Sequence, residues 1–271
     1  EMQRSLVGSE MCIRDSGNNN QYGKLYNEQK KKRNMSTSVP KKILCLHGFL
    51  QNGKMFSEKS SGIRKLLKKE NIQLDYLDGP ITLTQKDLPF AIDDEKWGSI
   101  VEQGTNKAWF YHFDESHKID IQPALDLVQK YITENGPYDG ILGFSQGAGL
   151  SAVLVNKIKE LCPNHPYFKV CVLFSGYTFS EKNEKDEVVV TEKYVDVYKM
   201  PNQEDPVTTE IISVHGSTDN AVPGIRSEFL NQIMTQNGHS VKSLVHEGGH
   251  VVVNKKDFLR PIVEDVKKAL E

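Results

Sequence analysis

A serine between two glycines is the residue of this sequence best suited to nucleophilic chemistry. The pentapeptide GFSQG at positions 143–147 matches the pattern G-x-S-x-G, with Ser145 at its centre. A continuously apolar run precedes it and a run of small residues follows it, which is the strand–turn–helix setting of a nucleophile elbow. That turn places the hydroxyl at the positive end of a helix dipole. We therefore predict that Ser145 is a nucleophile, the alternative being a structural serine in a glycine-rich turn.

A serine nucleophile needs a general base, and the last histidine of the chain is the candidate. In hydrolases with this motif, an acidic residue and then a histidine follow the serine along the chain. His250 comes after a predicted strand and a Glu-Gly-Gly turn, and before a predicted C-terminal helix. We predict that His250 takes the proton of the Ser145 hydroxyl.

The acidic partner should lie just after a strand that precedes this histidine. The string HGSTDNAVP at positions 215–223 follows an apolar run and contains Asp219. A carboxylate there can accept the imidazole Nδ1–H, fix the tautomer and stabilise the imidazolium. The alternative is an aspartate that only caps its own turn before Pro223. We predict that Asp219 orients His250.

Two histidines four residues apart also match a zinc-protease pattern. His246 and His250 fit H-E-x-x-H, a motif that works when both histidines share one face of a helix. Here Gly248 and Gly249 occupy the middle, and each glycine costs a helix about 1 kcal/mol. We therefore expect no metal at these histidines, and a serine–histidine–aspartate site needs no other cofactor.

Stabilising the tetrahedral intermediate of acyl transfer requires two backbone N–H groups that face the developing oxyanion. One belongs to the residue after the nucleophile, which is Gln146. The other comes from the loop after an early strand, and here LHGF at positions 46–49 ends the first predicted strand. We predict that the amides of Phe49 and Gln146 form the oxyanion hole, and that His47 supports this loop.

From residue 39 onward, strand and helix patterns alternate along the chain. The predicted strands span 42–47, 73–77, 138–144, 169–175, 210–215 and 241–246. The predicted helices span 57–70, 121–135, 146–160, 225–236 and 255–270. Several strands are continuously apolar, as strands covered on both faces are. This alternation predicts the α/β class, a mostly parallel central sheet flanked by helices on both faces, and with the elbow motif it predicts an α/β-hydrolase fold.

Two long stretches interrupt this alternation, at 79–118 and 177–209. Long loops inside a compact domain are usually functional or mobile. The first stretch is rich in aromatic residues, and loops at the carboxyl ends of the strands border the active site in this fold. We predict from it four substrate contacts, namely Phe90, Trp97, Trp109 and Phe110. The alternative is that these rings anchor the loop itself.

Residues 1–38 lack apolar periodicity and contain an Asn triplet and a basic cluster at 30–33. Such a stretch cannot bury enough surface to offset its ordering entropy. Its segment RSLVGSEMCIRDS resembles translated sequencing-adapter sequence. We therefore expect a disordered extension of non-native or artefactual origin, Met35 as the natural start, and a folded domain over 39–271.

The bulk composition excludes several functional classes. The net charge is −2, so no strong basic field exists to hold nucleic acid. No segment approaches the roughly 18 apolar residues that a membrane span requires. The four cysteines, Cys12, Cys45, Cys162 and Cys171, form no CxxC pair, which favours reduced thiols in a cytoplasmic protein. The basic cluster leaves a nuclear location as the alternative.

These motifs together resemble a family of small eukaryotic serine hydrolases that includes yeast members and the ovarian-cancer-associated esterase. The resemblance runs from about 41 to 270. It rests on the strings LHGFLQNGKMFSEKSSGIRKLLKK, DLPF, DDEKW, AWFYH, GPYDGILGFSQGA, HGSTDNAVP and GGHVVVNKK. It implies a compact α/β-hydrolase with esterase or thioesterase activity, a triad at Ser145, Asp219 and His250, and oxyanion donors at Phe49 and Gln146.

Three functions compete on these grounds. The first is hydrolysis of small carboxylic acyl esters through an acyl-enzyme. The second is acyl-thioester or lysophospholipid hydrolysis at the same site. The third is a non-catalytic ligand-binding protein on a hydrolase scaffold, which the presence of all three triad residues disfavours. The pattern of residues sets neither the oligomeric state nor the acyl chain length.

Overall fold

The computed structural model describes residues 39–111, 119–200 and 209–271. The predictions for residues 1–38 and for a start at Met35 lie outside these residues. Residues from Pro40 to Glu271 group into one unit.

A parallel sheet of six strands forms the centre of the described part of the chain. Its strands are β1 (Lys41–Leu46), β2 (Ile72–Leu77), β5 (Gly140–Phe144), β6 (Val170–Phe174), β9 (Glu210–Gly216) and β10 (Val241–His246). Their order across the sheet is β2-β1-β5-β6-β9-β10, and every neighbouring pair is parallel. The predicted parallel sheet and α/β class are therefore confirmed.

Helices cover both faces of this sheet. They are α1 (Gly53–Lys59), α2 (Ser61–Lys69), α4 (Gln122–Asn135), α5 (Gln146–Leu161), α6 (Gly224–Gln236) and α7 (Lys256–Leu270). Strand β1 shows how the two faces are used, since Ile43 and Cys45 pack with α1, α2 and α7, whereas Leu44 and Leu46 pack with α4, α5 and α6. Because successive side chains of a strand alternate between faces, a strand covered on both sides must be apolar throughout.

The helix predicted over 57–70 is two helices in the structure. Helix α1 begins earlier, because Asn52 caps it by accepting a hydrogen bond from the Met55 amide at 2.8 Å. The break falls at Ser60, whose hydroxyl donates to the Phe56 carbonyl at 2.7 Å and lies 2.6 Å from the Tyr76 hydroxyl. Local hydrogen bonding by serine competes with helix continuation, and periodicity alone does not reveal it.

The two long stretches contain more regular structure than their sequence pattern predicts. The first holds helix α3 (Asp94–Glu102) and a short antiparallel pair, β3 (Ile81–Thr82) with β4 (Lys107–Ala108). Asp93 caps α3 by accepting from the Lys96 amide at 2.8 Å. The second holds the hairpin of β7 (Ser180–Lys182) and β8 (Val188–Val190). Expecting these stretches to be irregular was thus wrong for these parts of them.

Candidate active site

Ser145 occupies the turn between β5 and α5. Its backbone has φ 54° and ψ −115°, a conformation that non-glycine residues rarely adopt and that costs energy. Glycine is required on both sides: a Cβ on Gly143 would overlap the Gly147 carbonyl, and one on Gly147 would overlap the Leu46 carbonyl. The turn is held by a 2.8 Å hydrogen bond from the Ser145 amide to the Phe174 carbonyl of β6.

His250 lies in the loop after β10 and faces this serine. Its Nε2 is 3.0 Å from the Ser145 Oγ, and its ring lies 4.7 Å from the ring of Phe144. The loop is tied to the segment that carries Asp219, because the Thr218 amide donates to the Gly248 carbonyl at 3.2 Å. The imidazole is therefore placed by contacts from two neighbouring strands rather than by its own loop alone.

Asp219 lies after β9 and holds the other side of the imidazole. Its Oδ2 is 2.8 Å from the His250 Nδ1 and accepts a 2.8 Å hydrogen bond from the Ser175 hydroxyl. Its Oδ1 accepts from the amides of Ala221 at 3.0 Å and Val222 at 2.8 Å. The turn-capping function that we considered for this aspartate is therefore also present.

The protonation state of Asp219 follows from these contacts. Its side chain has no exposed surface. Burial alone raises the pKa of this carboxyl group, but hydrogen bonds from His250, the Val222 amide and Ser175 outweigh burial and lower the pKa below its ordinary value. An ionised carboxylate accepts the Nδ1–H of the imidazole, which leaves the lone pair of Nε2 facing the Ser145 hydroxyl. This arrangement can transfer the serine proton to the histidine.

The loop after β1 lies beside the serine. A Cβ built on Gly48 would be 3.4 Å from the Ser145 Cβ. The amides on either side of Phe49 are directed elsewhere, since Gly48 donates to the Gln51 side chain at 3.2 Å and Leu50 donates to the Lys107 carbonyl at 3.0 Å. Gln146 is the first residue of α5, where an amide has no acceptor within the helix.

The side chain of Gln146 connects the serine turn to the aromatic stretch. Its Oε1 accepts from the Trp109 amide at 2.8 Å, and its Nε2 donates to the Phe110 carbonyl at 2.7 Å. The Trp109 indole donates to the His47 carbonyl at 2.8 Å. Trp109 and Phe110 have no exposed surface, so the structure gives them a packing function under the site and not the substrate contact that we predicted.

The other two predicted substrate contacts lie nearer the surface. Phe90 is 51% exposed. Trp97, on α3, is partly buried and packs with Phe49 against a small cluster formed by Ile81, Leu83 and Ala108. Of the four aromatic residues, these two therefore stay candidates for contact with substrate.

The zinc alternative does not match the local geometry. His246 ends β10, and its Nδ1 accepts a hydrogen bond from the Gly248 amide at 3.0 Å. The two nitrogens of His250 face Asp219 and Ser145. The two histidines therefore do not share a helix face, and no group of three His, Cys, Asp or Glu side chains within the described ranges is placed to hold a metal ion.

His47 supports the loop beside the serine as a neutral imidazole. Its Nδ1–H donates to the Gly48 carbonyl at 2.7 Å, and its Nε2 accepts from the Gly79 amide at 2.8 Å. Burial is the main reason that the pKa of His47 is lowered to about 4. A proton on Nε2 would remove the acceptor that holds Gly79.

This burial predicts a pH-dependent stability. Because the pKa of His47 is lower in the folded protein than in the unfolded chain, its contribution is complete above about pH 6.5 and is lost as the pH falls toward 4. The loss is at most about 3 kcal/mol in the free energy of unfolding.

Urea unfolding at pH 7 and pH 4.5 measures this loss. The His47→Gln variant should show a smaller difference between the two pH values, while His239, with a pKa also lowered to about 4, contributes equally to both proteins. Equal pH dependence in the two proteins would contradict the prediction.

The sheet order, the strained serine turn and the helices on both faces define the α/β-hydrolase fold. Solved structures agree: maize acyl-protein thioesterase 2 superposes with a TM-score of 0.53 at 18% identity, over 87% of this chain and 96% of that chain. The chain belongs to the serine hydrolase (FSH1) family, whose model matches residues 35–262. It is similar to Family of serine hydrolases 3 of Saccharomyces cerevisiae, with 33% identity over 83% of both chains. It is also similar to Esterase OVCA2 of Danio rerio, with 27% identity over 80% of this chain and 92% of the relative. The chain is thus a serine hydrolase, as its sequence motifs predicted.

Within the described residues, no helix is long and apolar enough to cross a membrane.

Proposed function

We propose that this protein hydrolyses carboxylic acyl esters through a covalent acyl-enzyme on Ser145. The observation that carries the proposal is the continuous set of hydrogen bonds from the Ser145 hydroxyl through His250 to Asp219, at 3.0 and 2.8 Å. Each proton transfer of ester hydrolysis has a donor or an acceptor in this set at hydrogen-bond distance.

The reaction begins when the His250 Nε2 takes the proton of the Ser145 hydroxyl and the oxygen attacks the acyl carbon. As the tetrahedral intermediate collapses, the imidazolium gives this proton to the leaving alcohol, and the acyl group stays on Ser145. A water molecule then loses a proton to His250 and attacks the ester. The acid is released and Ser145 regains its proton. Asp219 stays ionised throughout and stabilises the imidazolium.

The oxyanion of both intermediates is proposed to bind the amides of Phe49 and Gln146. Gln146 starts α5, so its amide adds to the positive end of the helix dipole. Phe49 lies in the loop beside the serine, where a Cβ built on Gly48 would be 3.4 Å from the Ser145 Cβ. In a comparable hydrolase, losing one such donor costs about 3 kcal/mol of transition-state stabilisation.

An acyl-thioesterase or lysophospholipase would use the same residues, and it is the second candidate. A thiolate is a better leaving group than an alkoxide and needs less help from the imidazolium. Comparing kcat/KM for an acyl ester and the matching acyl thioester separates the two. A ligand-binding protein without catalysis, the third candidate, would turn over neither substrate.

A cavity outside the triad is the candidate for the acyl chain. A cavity of about 550 Å³ lies between the β7–β8 hairpin and the first turns of α6. Its apolar walls include Val188, Ile225 and Phe229. Its lining begins three residues after Ser175, at Thr178, and six residues after Asp219, at Ile225, and it includes no residue of the triad. We therefore propose this cavity, with Phe90 and Trp97 as further candidates, for the acyl group.

A series of p-nitrophenyl esters tests this proposal. Each methylene that leaves water contributes about 0.8 kcal/mol, or roughly fourfold in kcat/KM. From acetate to octanoate, kcat/KM should therefore rise by orders of magnitude until the cavity is filled. The Phe229→Ala variant should reduce this preference with little change for acetate, whereas Val39→Ala, at a residue that is 85% exposed and precedes β1, should change neither. A steady decline in kcat/KM from acetate upward would contradict the proposal.

We place this activity in the cytoplasm. Cys45, Cys162 and Cys171 are free thiols, and two of them are buried, as expected in a reducing compartment. A nuclear location stays the alternative, on the basic cluster at 30–33.

A further inference from the structure

Ser175 is a buried serine that the proposed triad does not include. It follows β6, is 1% exposed and has φ 50°. From its position we propose that Ser175 is a positioning residue that holds the carboxylate of Asp219 in the orientation that His250 needs. This inference rests on the proposed function, since it assigns Asp219 to that reaction.

The hydroxyl of Ser175 contacts the oxygen on which the orientation of His250 depends. The Asp219 Oδ2 accepts from the Ser175 hydroxyl at 2.8 Å and lies 2.8 Å from the His250 Nδ1. The serine itself is fixed, because its amide donates to the Val214 carbonyl of β9 at 2.7 Å. The residue at the end of β6 thus holds the carboxylate that the segment after β9 carries.

The four donors divide evenly between the two carboxylate oxygens. The amides of Ala221 and Val222 hold Oδ1, and they come from Asp219's own turn. Ser175 and His250 hold Oδ2. Without Ser175, the imidazole that the carboxylate has to orient is the only donor to Oδ2 among the described residues, so the direction of the carboxylate would depend on its own turn alone.

The backbone conformation of Ser175 indicates that its hydroxyl is required. A φ of 50° lies in the left-handed region, where glycine is relaxed and a residue with a Cβ is strained. Packing space and backbone geometry at this position would both accept glycine. A serine in such a conformation is best explained by what its side chain does.

Two substitutions separate positioning from folding. Ser175→Gly removes the hydroxyl and relaxes the backbone, so its Tm should be higher than that of Ser175→Ala. Ser175→Ala removes the hydroxyl and keeps the strain. Both variants should lower kcat by about 10- to 100-fold, the effect of losing one hydrogen bond to a charged group, with KM changed by less than about twofold.

The pH profile adds a readout that a purely structural serine would not change. The charged or titratable groups that face Asp219 are His250 and His246. With one donor fewer, the Asp219 carboxylate accepts more strongly from the imidazole and favours its protonated form, so the acid limb of kcat/KM, which follows the proton on the general base, should move upward in both variants. A structural effect would instead lower activity in proportion to the folded fraction at an unchanged acid limb.

Ser227→Ala is the matched control. Its hydroxyl is also buried and donates to the Gly176 carbonyl at 2.7 Å. Gly176 follows Ser175 in the chain, but the Ser227 hydroxyl does not donate to Asp219. This variant should keep the wild-type kcat and pH profile. The inference is overturned if Ser175→Gly retains more than half of the wild-type kcat, or loses activity with an unchanged acid limb. When either of these results comes with an inactive Ser145→Ala in the same assay, only the inference about Ser175 fails. When Ser145→Ala is fully active, the proposed function itself fails.

Discussion

Replacing Ser145 by alanine is expected to lower kcat for p-nitrophenyl esters by about 10⁴-fold or more, by analogy with triad knockouts in other serine hydrolases. The variant loses the hydroxyl that the hydrogen-bonded set activates for attack on the acyl carbon. The remaining His250 and oxyanion donors can still assist the attack of water weakly. The fold should be retained, because removing the hydroxyl leaves the Ser145 amide bonded to Phe174.

Initial rates and single-turnover measurements with the purified variant test this expectation. Ser151→Ala is the matched control, since Ser151 is a buried serine on the same helix whose hydroxyl donates to the Gly147 carbonyl at 2.7 Å. This control should keep kcat within about twofold of the wild type, as expected for a change away from the site. A Ser145→Ala variant with a kcat within tenfold of the wild type would exclude Ser145 as nucleophile.

Asp219→Asn is expected to lower kcat by about 10⁴-fold, as the equivalent change does in a serine protease. The amide can still accept from Ala221 and Val222 through its oxygen, so the turn should fold. Its NH₂ group would then face His250 and favour the tautomer that carries the proton on Nε2. That tautomer cannot accept the proton of Ser145, while substrate binding is unaffected. The loss should therefore appear in kcat and not in KM.

Steady-state kinetics of Asp219→Asn, with Asp257→Asn as the control variant, measures this loss of kcat. Asp257 is an exposed aspartate at the start of α7, with a side chain that is 93% exposed, and its substitution should leave kcat unchanged. Near-wild-type activity of Asp219→Asn would mean that another carboxylate orients the histidine.

The positions of Ser145, Asp219 and His250 could be predicted because each lies at or shortly after the end of a predicted strand. In a parallel sheet, the carboxyl ends of all strands lie at one edge. Residues that each follow a different strand along the chain therefore come close together in space. The ends of β5 and β9 were themselves predictable from apolar runs, since both strands are almost wholly buried, whereas β10 before His250 is an edge strand with exposed residues.

The contacts that hold these residues could not be predicted in the same way. Ser175 also lies at the end of a predicted strand, but a serine there carries no motif, and its partner is 44 positions away along the chain. A positive φ at a serine is likewise invisible in the sequence. Only the arrangement of β6 beside β9 brings Ser175 to Asp219.

The function of the aromatic residues in the first long stretch could not be predicted from the sequence either. Trp109 and Phe110 lie in a segment with little regular pattern, and an aromatic residue there suits a pocket wall and a packing anchor equally well. The choice depends on Gln146, whose side chain binds the backbone of both residues. A buried glutamine with two backbone partners is a tertiary feature that spacing along the chain does not reveal.

The central claim is that Ser145 becomes covalently acylated. Treating the wild-type protein with a fluorophosphonate and mapping the adduct by peptide mass spectrometry tests it most directly. We predict one adduct on the peptide that contains Ser145, its loss in Ser145→Ala, and no change on adding a metal chelator. An adduct on a different residue, or labelling that persists in Ser145→Ala, would contradict it.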